Sequence, residues 1–265
     1  MRGIVEEEVM FYLYGIIIFV LLLFFYMWRE AHRNSVKEDI IYFQDFPGSF
    51  KQFRIFFISD IHRRKVSQQM INSVMGKVDI VVIGGDLAEK GVPLERVKDN
   101  ILRLKKLGPT YFVWGNNDYE LDYHMLDALL LDSGIKILDN TAVIFESQTG
   151  DKVALLGVDD LNEQRDRLDL ALLDANKVAF KILISHDPRI VRKIKPEDDI
   201  QFVLSGHTHG GQIRFLNFGL YEKGKISKRG ATTLLVSNGY GTTAVPLRLG
   251  APPETHLLTL TGVNK

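Results

Sequence analysis

Residues 80–86 read Ile-Val-Val-Ile-Gly-Gly-Asp, an apolar run that ends in two glycines and a carboxylate. A run that is apolar on both faces is typical of a strand that other layers of the protein cover. The two glycines let the backbone turn tightly at the strand end and leave room for a ligand. The sequence therefore predicts a buried strand that presents Asp86 at its carboxyl end.

The same arrangement, an apolar run followed by side chains that can bind a metal, recurs along the chain. The other stretches are 58–62 Ile-Ser-Asp-Ile-His, 114–118 Trp-Gly-Asn-Asn-Asp, 183–186 Leu-Ile-Ser-His and 204–209 Leu-Ser-Gly-His-Thr-His. Open α/β sheets bind ligands beyond the carboxyl ends of their strands, where all these stretches fall. In an extended backbone, positions two apart project to one side, so we expect Asp60 and His62 to face one ion.

Carboxylate oxygens and imidazole nitrogens together suit manganese, iron or zinc, and a carboxylate can bridge two ions. Each stretch alone has a simpler interpretation. Asp-x-His is more often a helix cap with a surface histidine, Gly-Gly-Asp is more often a turn, and Asn-Asn-Asp can be a helix N-cap. The ordered set is more specific than any member, and it predicts a site for two divalent metal ions.

The rest of the chain alternates short apolar runs with segments of helical period, which predicts an α/β fold whose β layers predominate toward the C-terminus. Predicted strands cover 54–59, 80–84, 111–114, 142–146, 153–156, 181–185, 202–205, 212–215, 232–237 and 256–260. Predicted helices cover 66–76, 94–107, 121–133 and 162–173, and residues 29–38 are predicted to be a polar connector.

Composition excludes several classes of protein. The 265 residues are 46% hydrophobic and 25% charged, which is typical of a globular chain. Lys and Arg number 33 and so do Asp and Glu, so the electrostatic footprint of a nucleic-acid binder is missing and no nucleic-acid partner is expected. With no cysteine, the chain has no disulfide, thiolate zinc site, iron–sulfur cluster or Cys nucleophile.

A membrane segment opens the chain. Residues 9–28 carry no charge, and as a helix they would span roughly 30 Å of hydrocarbon. Tyr12 and Tyr14 near one end, with Tyr26 and Trp28 at the other, match the aromatic residues expected at both headgroup levels. A buried core helix is the alternative, but it would need protein on every side.

Glu6, Glu7 and Glu8 precede the segment, where a cleaved signal peptide would carry positive charge, so a retained anchor is expected. Arg2 lies before the segment, and Arg29, Arg33 and Lys37 lie after it. The positive-inside rule then places the remainder of a single-pass cell-membrane protein in the cytoplasm. We predict a tail and anchor over 1–34 and a catalytic domain over 35–265.

The five ordered stretches resemble the calcineurin-like metallophosphoesterase superfamily, whose blocks read Asp-x-His, Gly-Asp, Gly-Asn-His-Asp or Glu, a later His, and Gly-His-x-His. The resemblance covers about residues 53–260. The stretches 237–241 Ser-Asn-Gly-Tyr-Gly, 246–248 Pro-Leu-Arg and 252–254 Pro-Pro-Glu are also similar to its bacterial, membrane-associated, phosphodiesterase-like branch. The resemblance implies a four-layer α/β/β/α sandwich, preceded here by one N-terminal transmembrane helix.

The resemblance also implies the ligands of each ion. One ion would be held by Asp60, His62, Asp86 and His209, and the other by Asp86, Asn116, His186 and His207. Manganese is the first expectation for both ions, with iron, zinc or nickel as alternatives. A hydroxide that bridges the two ions would attack phosphorus in line with the leaving group.

The third block places Asn117 and Asp118 at its catalytic positions, but the family usually has His where Asn117 stands. An amide can donate a hydrogen bond to phosphate yet cannot transfer a proton at neutral pH. We therefore expect either a substrate with an acidic leaving group, such as a pyrophosphate or aryl ester, or a replacement acid. His124 is a candidate for that acid, although an exposed helical histidine is its simpler interpretation.

Two basic stretches carry alternatives of their own. Arg63, Arg64 and Lys65 could hold a phosphate or be solvated, and 223–229 could contact lipid headgroups or form a solvated hairpin.

The sequence thus predicts a membrane-anchored phosphoesterase that cleaves phosphodiester or pyrophosphate bonds, with a substrate that is lipid-linked or close to the membrane. The alternatives are a scaffold of the same fold with weakened catalysis and, as a third class, a nuclease. Protein partners cannot be deduced from the residues.

Overall fold

Two six-stranded sheets lie face to face in the computed structural model, which describes residues 2–216 and 218–263, with side chains from residue 7 onward. In order across the first sheet, the strands are β1 (Val36–Phe43), β12 (Thr255–Gly262), β2 (Gln52–Ile58), β3 (Ile80–Gly84), β4 (Thr110–Val113) and β5 (Lys136–Ile137). Only the pair β12 and β2 is antiparallel.

In the second sheet the order is β10 (Lys225–Arg229), β11 (Thr232–Val236), β9 (Phe202–Ser205), β8 (Phe180–Ile184), β7 (Lys152–Gly157) and β6 (Thr141–Glu146). The two outer pairs are antiparallel and the three inner pairs are parallel, so β7, β8, β9 and β11 all run in one direction. The carboxyl ends of β7, β8 and β9 therefore meet at one edge.

Within the described residues, five α-helices accompany the sheets: α1 (Arg2–Ala31), α2 (Gln68–Val74), α3 (Leu94–Leu104), α4 (Tyr123–Asp132) and α5 (Leu168–Asp174). Short 3-10 turns occupy Gly48–Phe50, Lys105–Leu107, Asp118–Glu120, Pro188–Arg192, Pro196–Asp198 and His209–Gly211.

Alternation along β2 shows how the layers form. Ile55 and Phe57 pack between the sheets with residues such as Phe180 and Phe202. Phe56 and Ile58 point the other way, onto a cluster that includes residues of α2, α3 and α4. A third cluster lies between the second sheet and α5. The predicted α/β class and four-layer α/β/β/α sandwich are confirmed.

The boundaries differ from the prediction at three places. The end of the predicted connector belongs to β1, which pairs with β12 more than two hundred residues later in the chain. The predicted strand 212–215 is wrong, because Gln212 has φ +49° and Ile213 makes only isolated bridges to residues 249 and 250. The helix predicted over 162–173 begins only at Leu168, because residues 161–164 form turns. Residues 225–229 form the exposed edge strand of a hairpin with β11 and are rich in basic side chains, as edge strands often are.

The N-terminal helix is long and apolar enough to cross a membrane, since an 18-residue window within Glu7–Ala31 has mean hydropathy 2.5. Most of its large apolar side chains are exposed, and a buried core helix would have covered them. Only its last turns meet the rest of the protein. Met27 and Ala31 are buried there, and the backbone oxygen of Met27 accepts a hydrogen bond from Arg248 N at 3.0 Å.

Candidate metal centre

Both sheets contribute to one group of polar side chains. Asp60 and His62 follow β2, Asp86 follows β3, and Asn116 follows β4 in the first sheet. From the second sheet, His186 follows β8, while His207 and His209 follow β9. All seven residues named by the sequence thus lie beyond the carboxyl ends of parallel strands, where the two sheets meet.

The backbone around these residues is unusual. Five of the seven have left-handed φ values: Asp60 +55°, His62 +52°, Asp86 +51°, His207 +71° and His209 +49°. A left-handed non-glycine residue costs of order 1–3 kcal/mol, and such residues concentrate at functional sites. The extended backbone that we expected for 60–62 is therefore wrong, because β2 ends at Ile58 and the side chains converge through tight left-handed turns.

Asp60, His62 and His209 form the first group, in which one ligand atom from each lies within 4.8 Å of the others. His62 Nε2 and His209 Nε2 face each other at 3.1 Å, and His209 Nε2 lies 3.5 Å from Asp60 Oδ1. All three side chains are buried.

Asp86 joins that group to a second one. Its Oδ2 lies 3.7 Å from His62 Nε2 and 3.2 Å from His186 Nε2. His186 Nε2 is in turn 3.3 Å from His207 Nδ1. The amide oxygen of Asn116 is buried and has no hydrogen-bond partner. One carboxylate oxygen therefore stands between two sets of imidazole nitrogens.

Contacts on the far side of each ring fix its orientation. His186 Nδ1 lies 2.9 Å from the backbone oxygen of Gly84, and His62 Nδ1 lies 3.0 Å from Glu89 Oε2. The bond of His186 Nδ1 to Gly84 leaves Nε2 of that ring toward the centre, the arrangement usual for histidines that bind metals. His62 Nδ1 lies close to the Glu89 carboxylate, although the pair does not have the geometry of a hydrogen bond. Arg248 Nη2 lies 3.2 Å from His209 Nδ1.

Sequence reasoning did not find Glu89 or give Arg248 a role. Glu89 is three residues beyond Asp86 in an ordinary loop, so its type and spacing carry no signal. Arg248 was noted only within the Pro-Leu-Arg stretch.

The pKa values show how the centre is charged. Burial raises the pKa of Asp86, but the rings of His186 and His62 lower it by more, so the carboxylate is ionised. Burial lowers the pKa of His186, while Asp86 and Asp60 raise it well above its usual value. Burial and the charges of His62 and Arg248 hold the pKa of His209 well below its usual value. The acidic surroundings therefore favour positive charge at the centre, and a bound cation would replace the proton on His186.

Asn117 and Asp118, the two residues at the expected catalytic positions, have different surroundings: Asn117 lines a pocket and Asp118 is buried. Asn117 lines a pocket beside the centre, its backbone N–H donates to Asp86 Oδ1 at 2.8 Å, and its Nδ2 donates to Glu120 Oε1 at 2.8 Å. Asp118 is fully buried and accepts hydrogen bonds from Ala88 N and Gly115 N, both at 3.0 Å. Burial raises the pKa of Asp118 to about 7, and its contacts position the loops after β3 and β4.

Close approach explains two of the glycines in the stretches. A Cβ on Gly206 would lie 2.3 Å from Asp60 Oδ2, and one on Gly115 would lie 2.3 Å from Asp86 Oδ1. Any side chain at either position would displace a carboxylate of the centre.

A pocket of about 440 Å³ opens beside the centre. Its polar lining residues include Asp86, Asn117 and His207, and its apolar lining residues include Ile213, Leu220 and Val245. The pocket can therefore hold a ligand that has both a polar and an apolar part.

The remaining candidates lie apart from this pocket. His124 is exposed on α4, and its ring lies tilted against that of Tyr123 with the centroids 4.1 Å apart. Arg63 pairs with Glu89, and Arg64 donates to the backbone oxygens of His32 and Arg33 at 3.2 and 3.1 Å. Arg64 thus ties the chain after α1 to the domain.

These residues fit metal ions. Opposed imidazole nitrogens, a carboxylate oxygen between them and a buried amide oxygen without a partner form a set of ligands that a divalent cation would satisfy.

Comparison with known proteins agrees with this chemistry. Residues 53–211 match the family model of the calcineurin-like phosphoesterases. The chain belongs to the calcineurin-like phosphoesterase family. It is therefore a hydrolase of phosphoric esters whose clustered Asp and His residues are suited to binding metal ions.

Several relatives share most of this calcineurin-like phosphoesterase. The Bacillus subtilis protein YpbG is 48% identical over 89% of this chain and 91% of its own length. A Helicobacter pylori metallophosphoesterase is 32% identical over 93% of this chain and 70% of its own. A zebrafish (Danio rerio) transmembrane protein with a metallophosphoesterase domain is 30% identical over 85% of this chain and 57% of its own. The N-terminal helix and such relatives indicate membrane association.

A solved structure shows the same fold. The 5'-nucleotidase precursor of Thermus thermophilus superposes with a TM-score of 0.54 at 13% identity, over 78% of this chain and 55% of that one.

Proposed function

We propose that this chain is a membrane-anchored phosphoesterase that uses two divalent metal ions, manganese in the first instance, to hydrolyse phosphodiester or pyrophosphate bonds. The observation that carries the proposal is the position of Asp86, whose Oδ2 stands 3.7 Å from His62 Nε2 and 3.2 Å from His186 Nε2. A carboxylate between two sets of nitrogen ligands is suited to bridging two ions.

In this proposal Asp60, His62, Asp86 and His209 hold one ion, and Asp86, Asn116, His186 and His207 hold the other. The ions would neutralise charge on the phosphoryl group and supply a water acidic enough to attack phosphorus. The protein fixes the ligands through Gly84, Glu89 and Arg248, and it excludes water by burying Asp60, Asp86 and His186.

The side chain of Asn117 influences which kind of phosphoester bond this site hydrolyses best. It lines the pocket next to Asp86, but its amide cannot give a proton to a departing oxygen. Among the described residues that line the pocket, the histidines are His207 and His209, both assigned to metal. A substrate whose leaving group is already acidic therefore suits this site best, and pyrophosphate linkages and aryl esters have this property.

The division of the chain follows from its contacts. Residues 1–34 would form the tail and anchor and 35–265 the catalytic domain, because α1 is exposed and β1 begins at Val36. Arg29 and Arg33 follow the apolar segment, so the positive-inside rule favours a cytoplasmic catalytic domain. A substrate that is lipid-linked or close to the membrane would then lie within reach.

The test is hydrolysis of bis-p-nitrophenyl phosphate and p-nitrophenyl phosphate by the full chain in detergent, with manganese, with chelator, and as Asp86→Ala. We expect manganese-dependent cleavage of the diester that chelator and the substitution abolish, and metal analysis that finds two ions per chain in the parent and fewer in the variant. Asp132→Ala is the matched control, since Asp132 is exposed at the end of α4. Cleavage that survives both chelator and Asp86→Ala would refute the two-metal assignment, and metal bound without turnover of either ester would favour a scaffold.

A further inference from the structure

A short hairpin of apolar side chains stands at the mouth of the pocket. Phe215 and Phe218 exchange two backbone hydrogen bonds of 3.0 Å, which close a tight turn. The exposed fractions are 75% for Phe215, 78% for Leu216, 78% for Phe218 and 89% for Leu220. Soluble surfaces rarely expose so many large apolar groups side by side, and such patches mark contacts with a protein or a membrane. We refer to residues 213–216 and 218–221 as the apolar loop.

The base of the apolar loop is held firmly. Arg214 N donates to the backbone oxygen of Leu249 at 2.8 Å, and Leu249 N donates to that of Gln212 at 3.0 Å. The side chain of Gln212 donates to the backbone oxygens of Thr243 and Val245 at 3.0 and 3.1 Å. The loop therefore presents its apolar tip from a fixed base formed with residues 243–250.

The same residues hold the end of α1. Arg248 N donates to the backbone oxygen of Met27, and the next residue, Leu249, makes backbone bonds to Arg214 of the apolar loop and to Gln212 just before it. Val245, from the same stretch, lines the pocket. One short segment thus joins the end of the apolar helix, the apolar loop and the mouth of the pocket.

Charge beside the apolar loop complements an anionic surface. A second cavity of about 460 Å³ adjoins the pocket, and Thr208 and Tyr221 line both. Its basic lining residues are Arg189, Arg192, Lys223, Lys225 and Arg229. Glu222 is the only acidic residue among the described residues that line it. Basic side chains next to exposed aromatic and aliphatic ones are typical of protein segments that lie in the interface of an anionic membrane.

We propose that the apolar loop is a second membrane contact, whose Phe215, Leu216 and Phe218 enter the boundary between headgroups and acyl chains of an anionic phospholipid bilayer. The inference rests on the proposed function, because it takes α1 to be an anchor in that bilayer. With the helix and the loop both in the membrane, the pocket opens along its surface. The phosphoester that it takes is then one whose apolar part stays in the bilayer while the phosphate reaches Asp86.

The absence of cysteine in the sequence allows one label at a time to be placed. The full chain is reconstituted in vesicles of phosphatidylcholine and phosphatidylglycerol as Phe218→Cys, Leu173→Cys or Ile18→Cys, each carrying the environment-sensitive fluorophore NBD. Leu173 is the matched control, because it is 68% exposed on α5, which ends before β8 begins, whereas His186 follows the far end of β8. Ile18 is 56% exposed in α1 and reports on the anchor.

Vesicles that contain lipid with a nitroxide on its acyl chain should quench the labels at 218 and 18 and leave the label at 173 bright. If the label at position 18 is quenched but the label at 218 stays as bright as the one at 173, the inference is overturned and the anchor still stands. A bright label at 18 would refute the anchor itself. Disulfide-linked dimers of the unlabelled Phe218→Cys variant in the same vesicles, together with a label at 218 that is not quenched, would show that a second copy covers the loop and would also overturn the inference.

A second measurement separates the loop from the chemistry. The variant Phe215→Ser, Leu216→Ser, Phe218→Ser changes residues that do not line the pocket. It should hydrolyse soluble bis-p-nitrophenyl phosphate at the parent rate and cleave hexadecyl p-nitrophenyl phosphate in the same vesicles several-fold more slowly. Equal rates on the vesicle substrate would contradict the inference. If the parent chain itself hydrolysed neither substrate, the proposed function would be refuted instead.

Discussion

Arg248 lies against His209 in the interior of the protein, with Nη2 3.2 Å from Nδ1 of the ring. The guanidinium is fully buried and also donates to the backbone oxygens of Asn238, Gly241 and Ala251 at 2.7, 2.6 and 2.8 Å. Its own backbone N–H binds the end of α1. One residue therefore connects the apolar helix to the candidate metal centre.

Replacement of this side chain should weaken both stability and metal binding. Arg248→Met leaves several buried carbonyl groups without a donor, each costing about 1–3 kcal/mol, and frees the ring of His209. We expect a lower Tm and metal affinity reduced by about 10- to 100-fold. Thermal unfolding and metal titration of the full chain measure the two effects. Arg167→Lys, at an exposed position paired with Asp169, is the control, and a variant with parent metal affinity would contradict the role given to Arg248.

Glu89 should contribute to metal binding without touching metal. Its Oε2 lies 3.0 Å from His62 Nδ1, so Glu89→Ala lets the ring turn away from the centre. Loss of such a partner typically reduces metal affinity by about 10- to 100-fold. Glu89→Gln keeps an acceptor oxygen and should be milder, while Glu197→Gln at an exposed turn should have no effect. Equal manganese affinity for Glu89→Ala and the parent, in titrations against a chelator, would remove this role.

The steric argument at Gly206 has a direct test. A Cβ there would lie 2.3 Å from Asp60 Oδ2, so Gly206→Ala must displace a carboxylate of the centre. We expect loss of metal-dependent hydrolysis and a free energy of unfolding lower by about 1–3 kcal/mol. Gly48→Ala is the matched control, because its new methyl group meets nothing within 4 Å. Parent activity in Gly206→Ala would show that Asp60 can move without cost.

Local pattern predicted much of this fold. Apart from 212–215, each run predicted as a strand forms one, and the carboxyl ends of parallel strands bring Asp60, Asp86, Asn116 and His186 together. Strand ends are a local property of the sequence, so single-sequence reasoning finds them.

What the sequence did not predict depends on distant partners. The start of β1 is predicted as the end of a polar connector and residues 39–43 are given no strand, because the neighbouring strand β12 begins only at Thr255 and nothing local shows that pairing. Left-handed φ values at Asp60 and His62 arise where surrounding structure outweighs local preference. Glu89 and Arg248 act through histidines that are close only in space.

Stability should depend on pH through His256, which lies away from the metal centre. Its Nε2 is 3.6 Å from Glu254 Oε1, and its Nδ1 is 3.9 Å from Asp39 Oδ2. Burial lowers the pKa of His256, but Asp39 and Glu254 raise it by more, so it lies above the usual 6.5. The nearby ring of His256 lowers the pKa of Asp39. Burial raises the pKa of Glu254, but His256 and Lys37 lower it by more.

A histidine whose pKa is raised on folding stabilises the fold fully when the pH is below its pKa in the unfolded chain, about 6.5. This stabilisation is lost as the pH rises through its pKa in the folded protein. His256→Gln should therefore lower the free energy of unfolding more at about pH 6 than at about pH 9, with each tenfold change in proton affinity worth about 1.4 kcal/mol. Urea unfolding of the full chain at both values measures this. The control His124→Gln, at an exposed site, should change the free energy of unfolding equally at the two pH values. An equal change at both values for His256→Gln would mean that protonation of His256 does not stabilise the fold.

Asn117 offers the last test, which concerns the bond that is cleaved. The residue lines the pocket and its backbone is fixed to Asp86, so a histidine there would place an imidazole beside the departing oxygen. General acid catalysis is worth about a hundredfold or more, and alkyl leaving groups need it most. Asn117→His should raise kcat/KM for an alkyl phosphodiester by up to about a hundredfold and change that for an aryl diester little. His124→Ala should change neither, because His124 lies outside the pocket. An unchanged ratio of alkyl to aryl activity in Asn117→His would mean that proton transfer at this position does not limit the reaction, and a loss in His124→Ala would identify a different acid.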